Sequence, residues 1–267
     1  MKAGVSTACL YPQLLEDSLK DLVERHIINT EIFVNSHCEM QPEFTQLLYS
    51  ILKRNNAVCT AMHPYTCPME PMMLFSQYER RVSDMLDYYK SFFEIMNRFG
   101  TKIFVFHGNK YQTPVSEELY FERFARLAEC AESFGIIAAQ ENVSRCQSRD
   151  LEFLTDMAGY LGDKAHFVLD VKQAVRADED PLMFVKKLGD KIVHVHISDH
   201  GEKGDCLPLG HGKFDIDTFL VQLKKAGFDG SVMIELYRYN FSDADELADN
   251  YFYLKEIIQK IDVEAKV

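Results

Sequence analysis

The chain has 267 residues, 47% hydrophobic and 26% charged, the proportions of an ordinary soluble globular protein, and its length suits a single α/β barrel. A net charge of −12 argues against binding to a nucleic-acid backbone, whose affinity for proteins comes largely from Lys and Arg. No run approaches the roughly 18 apolar residues of a membrane span, and Met1-Lys2-Ala3-Gly4-Val5 opens no secretory signal, so a cytoplasmic protein without a membrane partner is expected. Seven scattered cysteines without a Cys-x-x-Cys pair argue against a disulfide framework and a thiolate zinc site.

Short apolar, β-prone runs occupy residues 3–9, 30–35, 58–63, 102–107, 136–142, 166–170, 192–199 and 231–237. Helical patterns lie between them. The first covers 16–23. The longest covers 78–99, with Val82, Leu86, Tyr89, Phe93 and Met96 as its apolar stripe. Ser116 opens a helix that closes at Ser133-Phe134-Gly135, and the pattern over 215–227 ends on Gly227. Strands alternating with helices predict a parallel sheet, and eight repeats close it into a (β/α)₈ TIM barrel, a single domain over 1–267. A doubly wound sheet would carry a Gly-rich loop after its first strand, and Ala8-Cys9-Leu10-Tyr11-Pro12 is not one.

In such barrels the functional groups collect at the C-terminal ends of the strands. Here six consecutive runs end near His63, His107, Glu141, Asp170, His196 and Glu235. One acid at a strand end can simply cap a helix or pair with a lysine. Several converging carboxylates repel, and a cation relieves that repulsion. Glu141, Asp170, His196 and Glu235 are therefore expected to hold one divalent metal ion. Three oxygen donors and an imidazole favour Mn²⁺, with Mg²⁺, Co²⁺ or Zn²⁺ as alternatives. His194 shares the face of His196 one layer deeper and reads as a hydrogen-bonded core histidine.

The strand ends Gln140-Glu141-Asn142, Leu169-Asp170-Val171, His194-Val195-His196-Ile197-Ser198-Asp199 and Ile234-Glu235-Leu236 resemble the xylose isomerase-like barrel superfamily. The likeness is to its sugar phosphate isomerase/epimerase members, including ketose 3-epimerases and inosose-processing enzymes. Pro208-Leu209-Gly210-His211-Gly212 resembles that family's Gly-x-Gly loop. The resemblance implies a metal on Glu141, Asp170, His196 and Glu235. It also implies that Glu141 and Glu235 act as catalytic acid and base on either side of a substrate carbon, through an enediolate. The implied substrate is small and polyhydroxylated: a sugar, sugar phosphate or cyclitol.

The sequence departs from the pattern in two places. Gln173 stands where the resemblance implies a substrate-contacting histidine, and it cannot carry a proton charge. The arginine that some members carry after the strand-seven ligand is absent, and His200 and Lys203 are the nearest substitutes. His63 and His107 are read either as contacts to substrate hydroxyls or as histidines bonded to nearby backbone. The Pro- and Met-rich loop after residue 63 is read as a lid or as packing on the barrel or a second subunit, which leaves a homo-oligomer open. A metal-dependent dehydratase or lyase and a non-catalytic sugar-binding barrel are the rival readings. A trinuclear apurinic-site endonuclease, also of this superfamily, is disfavoured by Gln173, by Gly204-Asp205-Cys206-Leu207-Pro208 and by the acidic charge.

Overall fold

All eight apolar runs form strands, although six stop one to three residues short of the expected ends. The structure, a computed structural model, describes residues 1–264. Strands β1 (Lys2–Ser6), β2 (Asn29–Phe33), β3 (Val58–His63), β4 (Ile103–Phe106), β5 (Ile137–Glu141), β6 (Phe167–Asp170) and β7 (Ile192–Ile197) pair in parallel. A hairpin comes next, β8 (Asp199–Gly201) and β9 (Gly204–Leu207), and then β10 (Ser231–Ile234) closes the barrel between β7 and β1. The first run ends at Ser6 because its hydroxyl accepts from Ala8 N and turns the chain into a 3₁₀ turn over Thr7–Leu10. The seventh ends at Ile197, where the hairpin begins. The eighth ends at Ile234, although Glu235 N still bonds Ile197 O at 3.3 Å.

The helices are α1 (Leu15–Glu24), α2 (Pro42–Arg54), α3 (Glu79–Phe99), α4 (Glu117–Glu132), α5 (Leu151–Leu161), α6 (Val171–Arg176), α7 (Pro181–Leu188), α8 (Ile216–Lys225) and α9 (Ala244–Glu264). Ser116 and Asp215 cap α4 and α8 by accepting from Leu119 N and Thr218 N, which fixes where those helices start. In α3 the buried face is Val82, Met85, Tyr89, Phe92, Phe93, Ile95 and Met96, wider than the expected stripe, with Leu86 at its edge. No helix among the described residues is long and apolar enough to cross a membrane.

Alternation along each strand makes two cores. Outward-facing Val5, Ile32, Met62, Phe104, Leu169, Val195 and Val232 are buried under the helices. Inward-facing Ala61, Val105, Ala139 and Val168 form a separate small cluster with Ile103 and Val193 inside the barrel. A Cβ at Gly4 would lie 2.4 Å from the Met233 sulfur, so the smallest residue on β1 makes room for the largest on β10. Above this plug the inward positions turn polar, and the site begins there.

Candidate active site

Moving two residues along a strand keeps the side chain on the same face. From Ala61, Val105, Ala139, Val168 and Met233 that step gives His63, His107, Glu141, Asp170 and Glu235. His196 joins them from β7, opposite Asp170 in register. Ligand atoms of Glu141, Asp170, His196 and Glu235 all lie within 4.8 Å of one another. His196 Nδ1 is 3.2 Å from Glu141 Oε1, 3.2 Å from Glu235 Oε2 and 3.9 Å from Asp170 Oδ2. The four residues singled out in the sequence for a metal are thus brought to one point.

Each is held from behind. Asp170 Oδ1 accepts from Gln173 N and caps α6, which leaves Oδ2 for the cluster. Asn142 donates to Asp170 O at 3.0 Å and accepts from Asp170 N at 2.7 Å, stapling the ends of β5 and β6. His196 presents Nε2 to Glu31 Oε2 at 2.9 Å, and His194 Nε2 lies 3.0 Å from the same oxygen. Ser6 donates to the other oxygen of Glu31 at 2.9 Å. Glu31 is fully buried and was not singled out in the sequence. The signal that could have found it is an acid in mid-strand, between Thr30 and Ile32. A carboxylate can only accept, so Glu31 fixes a proton on Nε2 and leaves Nδ1 of His196 to face the acids.

Lys172 is the second unforeseen member. Its buried ammonium lies 3.2 Å from Asp170 Oδ2 and 3.1 Å from Glu235 Oε2, with the Tyr237 ring 5.0 Å away. Helix α6 starts directly at the end of β6, so residue 172 folds back over the cluster instead of leaving along a loop.

Charge crowding shows in the titration behaviour. Burial pushes the Asp170 carboxyl up to about 7, with Lys172 opposing and Glu235 and Glu141 reinforcing the rise. Burial works the same way on Glu141, Glu235 and Glu31. Hydrogen-bonding and charged partners prevail there, and all three stay well below the usual range: His107 and His196 at Glu141, Lys172 and His196 at Glu235, and His196 and His194 at Glu31. Burial would lower His196, but Glu31 and Glu235 hold its imidazolium well above the ordinary value. Glu141 Oε2 and Asp170 Oδ2 are buried without a hydrogen bond among the described residues. Three acids, a histidine oriented through Nε2 and two inward carboxylate oxygens that meet cationic or imidazole groups without a hydrogen bond fit a divalent cation.

A cavity of about 380 Å³ opens above the cluster, lined by Phe33, His63, His107, Glu141, Gln173 and Glu235 among others. His63 Nδ1 donates to Pro64 O, so its Nε2 is bare and meets His107 Nε2 at 2.7 Å. His107 Nε2 also lies 2.9 Å from Glu141 Oε2, and these three residues form a second group with ligand atoms within 4.8 Å. His63 thus bonds neighbouring backbone, as one of its two readings had it, and also lines the pocket. Gln173 turns its carbonyl oxygen away to Ser144 N and Oγ, leaving its amide hydrogens for the pocket.

His200 and Lys203, expected to contact substrate, are not brought to the cavity. They sit on the β8–β9 hairpin, where His200 packs on Phe214 with ring centroids 5.2 Å apart. The Asp199 carboxylate causes this by accepting from Gly210, Gly212 and Phe214 N–H groups and winding the Gly-x-Gly loop around itself. A Cβ at Gly212 would lie 2.3 Å from that carboxylate. The loop after β3 packs on its own barrel. Its Glu70 accepts from Gly108 N at 2.8 Å and from the Tyr89 hydroxyl, and burial pushes its carboxyl up to about 7.

A family model described as xylose isomerase-like TIM barrel matches residues 32–257. An uncharacterised protein of Methanocaldococcus jannaschii is 27% identical over 203 residues, covering 72% of this chain and 76% of that protein. Among solved structures, a D-tagatose 3-epimerase-like protein superposes with a TM-score of 0.80 at 22% identity, covering 99% of this chain and 100% of the other. A probable 3-DHS dehydratase from Bacillus anthracis gives 0.75 at 18% identity, with 96% and 99% covered. At these identities the structural neighbours speak for the fold. A family match over residues 32–257, most of the chain, places it in the xylose isomerase-like TIM barrel family.

Proposed function

We propose that this protein is a divalent-metal-dependent isomerase or epimerase of a small polyhydroxylated substrate, with Glu141 and Glu235 as its acid–base pair. The observation that carries the reading is the convergence of these two glutamates. They leave β5 and β10, which β6 and β7 separate around the ring, yet both reach within 3.2 Å of His196 Nδ1. Glu141, Asp170, His196 and Glu235 would hold the metal. When bound, it would polarise a substrate carbonyl and the neighbouring hydroxyl, making the hydrogen on the carbon between them acidic. Glu141 and Glu235 approach that carbon from different strands, so one can remove the proton and the other return it from the opposite side. His63, His107 and the Gln173 amide supply hydrogen bonds to hydroxyl groups along the cavity wall. The epimerase-like neighbour supports this reading through a shared fold, and the neighbour described as a probable dehydratase makes elimination the rival to test.

The deciding experiment incubates Mn²⁺-loaded protein with ketohexoses and keto-cyclitols in deuterated water and tracks carbon-bound protons by NMR. Exchange at the carbon beside the carbonyl, with an epimer or isomer as product, is the expected outcome. A dehydrated product would replace the proposal with a lyase, and absence of exchange despite tight binding would leave a sugar-binding barrel. With a turned-over substrate in hand, Glu141→Gln and Glu235→Gln should each cut kcat by about 10² to 10⁴ with KM nearly unchanged. Full recovery at saturating metal would reduce both residues to ligands.

A further inference from the structure

The pocket contains a cation that the metal cluster does not use. Arg145 lines the cavity four residues past Glu141, and its guanidinium is exposed. Its one side-chain hydrogen bond among the described residues is from Nη2 to the Cys67 sulfur at 3.8 Å, a weak neutral acceptor. The other basic groups nearby are already committed, Lys172 to Asp170 and Glu235, and Arg176 to both oxygens of Asp205.

The backbone that carries Arg145 is fixed. Arg145 O accepts from Tyr111 N at 2.9 Å, and Cys146 N closes a turn onto Val143 O. Cys146 bridges to Lys110, and Ser144 bonds Gln173 through both N and Oγ. The guanidinium is therefore presented to the pocket from a turn tied to the loops after β4 and β6. No carboxylate among the described residues pairs with Arg145, so its charge is available to a ligand in the pocket. A guanidinium offers paired N–H donors in the geometry that a carboxylate or phosphate accepts.

Building on the polyol reading above, we propose that the substrate carries an anionic group, a carboxylate or a phosphate, which Arg145 binds at the pocket wall. Neutral sugars would leave that cation without a partner, so the substrate class is a sugar acid or sugar phosphate in preference to a free sugar.

The test is calorimetry on the full-length Mn²⁺-loaded protein with three probes that share one six-carbon polyol chain: D-glucitol, D-gluconate and D-glucitol 6-phosphate. The wild type should bind at least one anionic probe roughly ten- to hundredfold more tightly than D-glucitol. Whichever is preferred identifies the anion. Arg145→Met should abolish that preference and leave D-glucitol affinity unchanged, and Arg145→Lys should restore part of it by keeping charge without the fork. Equal affinities in the wild type, or a preference that survives Arg145→Met because the anion sits on the metal, would overturn the inference while sparing the polyol reading. Failure of all three probes to bind with Mn²⁺ in place would overturn both.

Discussion

Inside the barrel, Ala61, Val105, Ala139 and Val168 pack as a small apolar cluster, while two residues farther along the same strands stand His63, His107, Glu141 and Asp170. Strand, face and direction are shared, and only the residue type changes. The lower layer gains from contact and exclusion of water, so it contributes to stability whatever occupies the pocket. The upper layer gathers like charges out of water, which costs free energy until partners balance them. Folding is assigned to one layer and ligand chemistry to the next.

Substitutions in the two layers should therefore separate. Met233→Ala, which empties the space opposite Gly4, is expected to cost about 2–5 kcal/mol in denaturant unfolding and to leave metal affinity near that of the wild type. Asp170→Asn keeps an acceptor for the cap on α6 but removes the charge at Oδ2. Its unfolding free energy should stay within about 1 kcal/mol of the wild type, while Mn²⁺ affinity falls by more than the roughly hundredfold seen when a supporting group is lost. Calorimetric titration and urea melts on both variants read the two quantities. If Asp170→Asn unfolds the barrel, or Met233→Ala abolishes metal binding, the division between the layers does not hold.

The layering was legible in the sequence wherever it tracked strand periodicity. His63, Glu141 and Asp170 close their strands, and His107 and Glu235 come directly after theirs, so reading the last residue of each apolar run found them. Glu31 escaped that rule because it lies in the middle of β2. A register shift between Thr30 and Glu31 sets it opposite Ala61, and no local pattern announces that it faces two histidines from β7. Lys172 and Arg145 escaped because their direction depends on the element after the strand, an immediate helix in one case and a tied turn in the other. His200 and Lys203 were expected at the pocket by their distance from His196 along the chain. The reversal of the hairpin around Asp199 removes them from it.

The comparison sharpens at Glu31, which belongs to the polar layer yet touches no pocket. Glu31→Gln would remove the charge that holds Nε2 of His196 protonated and in place. Mn²⁺ affinity should fall about 10- to 100-fold, the usual loss when a partner behind a ligating histidine is changed. Nitrogen chemical shifts of His196 in the metal-loaded protein should show Nε2–H in the wild type and a mixture in the variant. An unchanged affinity with an unchanged tautomer would make Glu31 a packing residue only.

The smallest expected effect has the opposite sign. Besides the histidines, Lys172 is the cation among the described residues that reaches the acids of the polar layer, and it takes the Asp170 and Glu235 oxygens that a metal would need. In the metal-free protein it offsets the repulsion among the three crowded acids, so Lys172→Met, similar in length but uncharged, should lower the metal-free Tm. With the ion bound, the ammonium becomes a like charge near a divalent cation, and removing it should tighten Mn²⁺ binding by about tenfold. The two effects together predict that saturating Mn²⁺ raises Tm by more in Lys172→Met than in the wild type, because a ligand stabilises in proportion to the logarithm of its concentration over Kd. Thermal melts with and without Mn²⁺, read beside a chelator-competition measurement of affinity, test both. An unchanged metal-free Tm together with weaker Mn²⁺ binding would show that Lys172 supports the ligands in place and does not offset their charge.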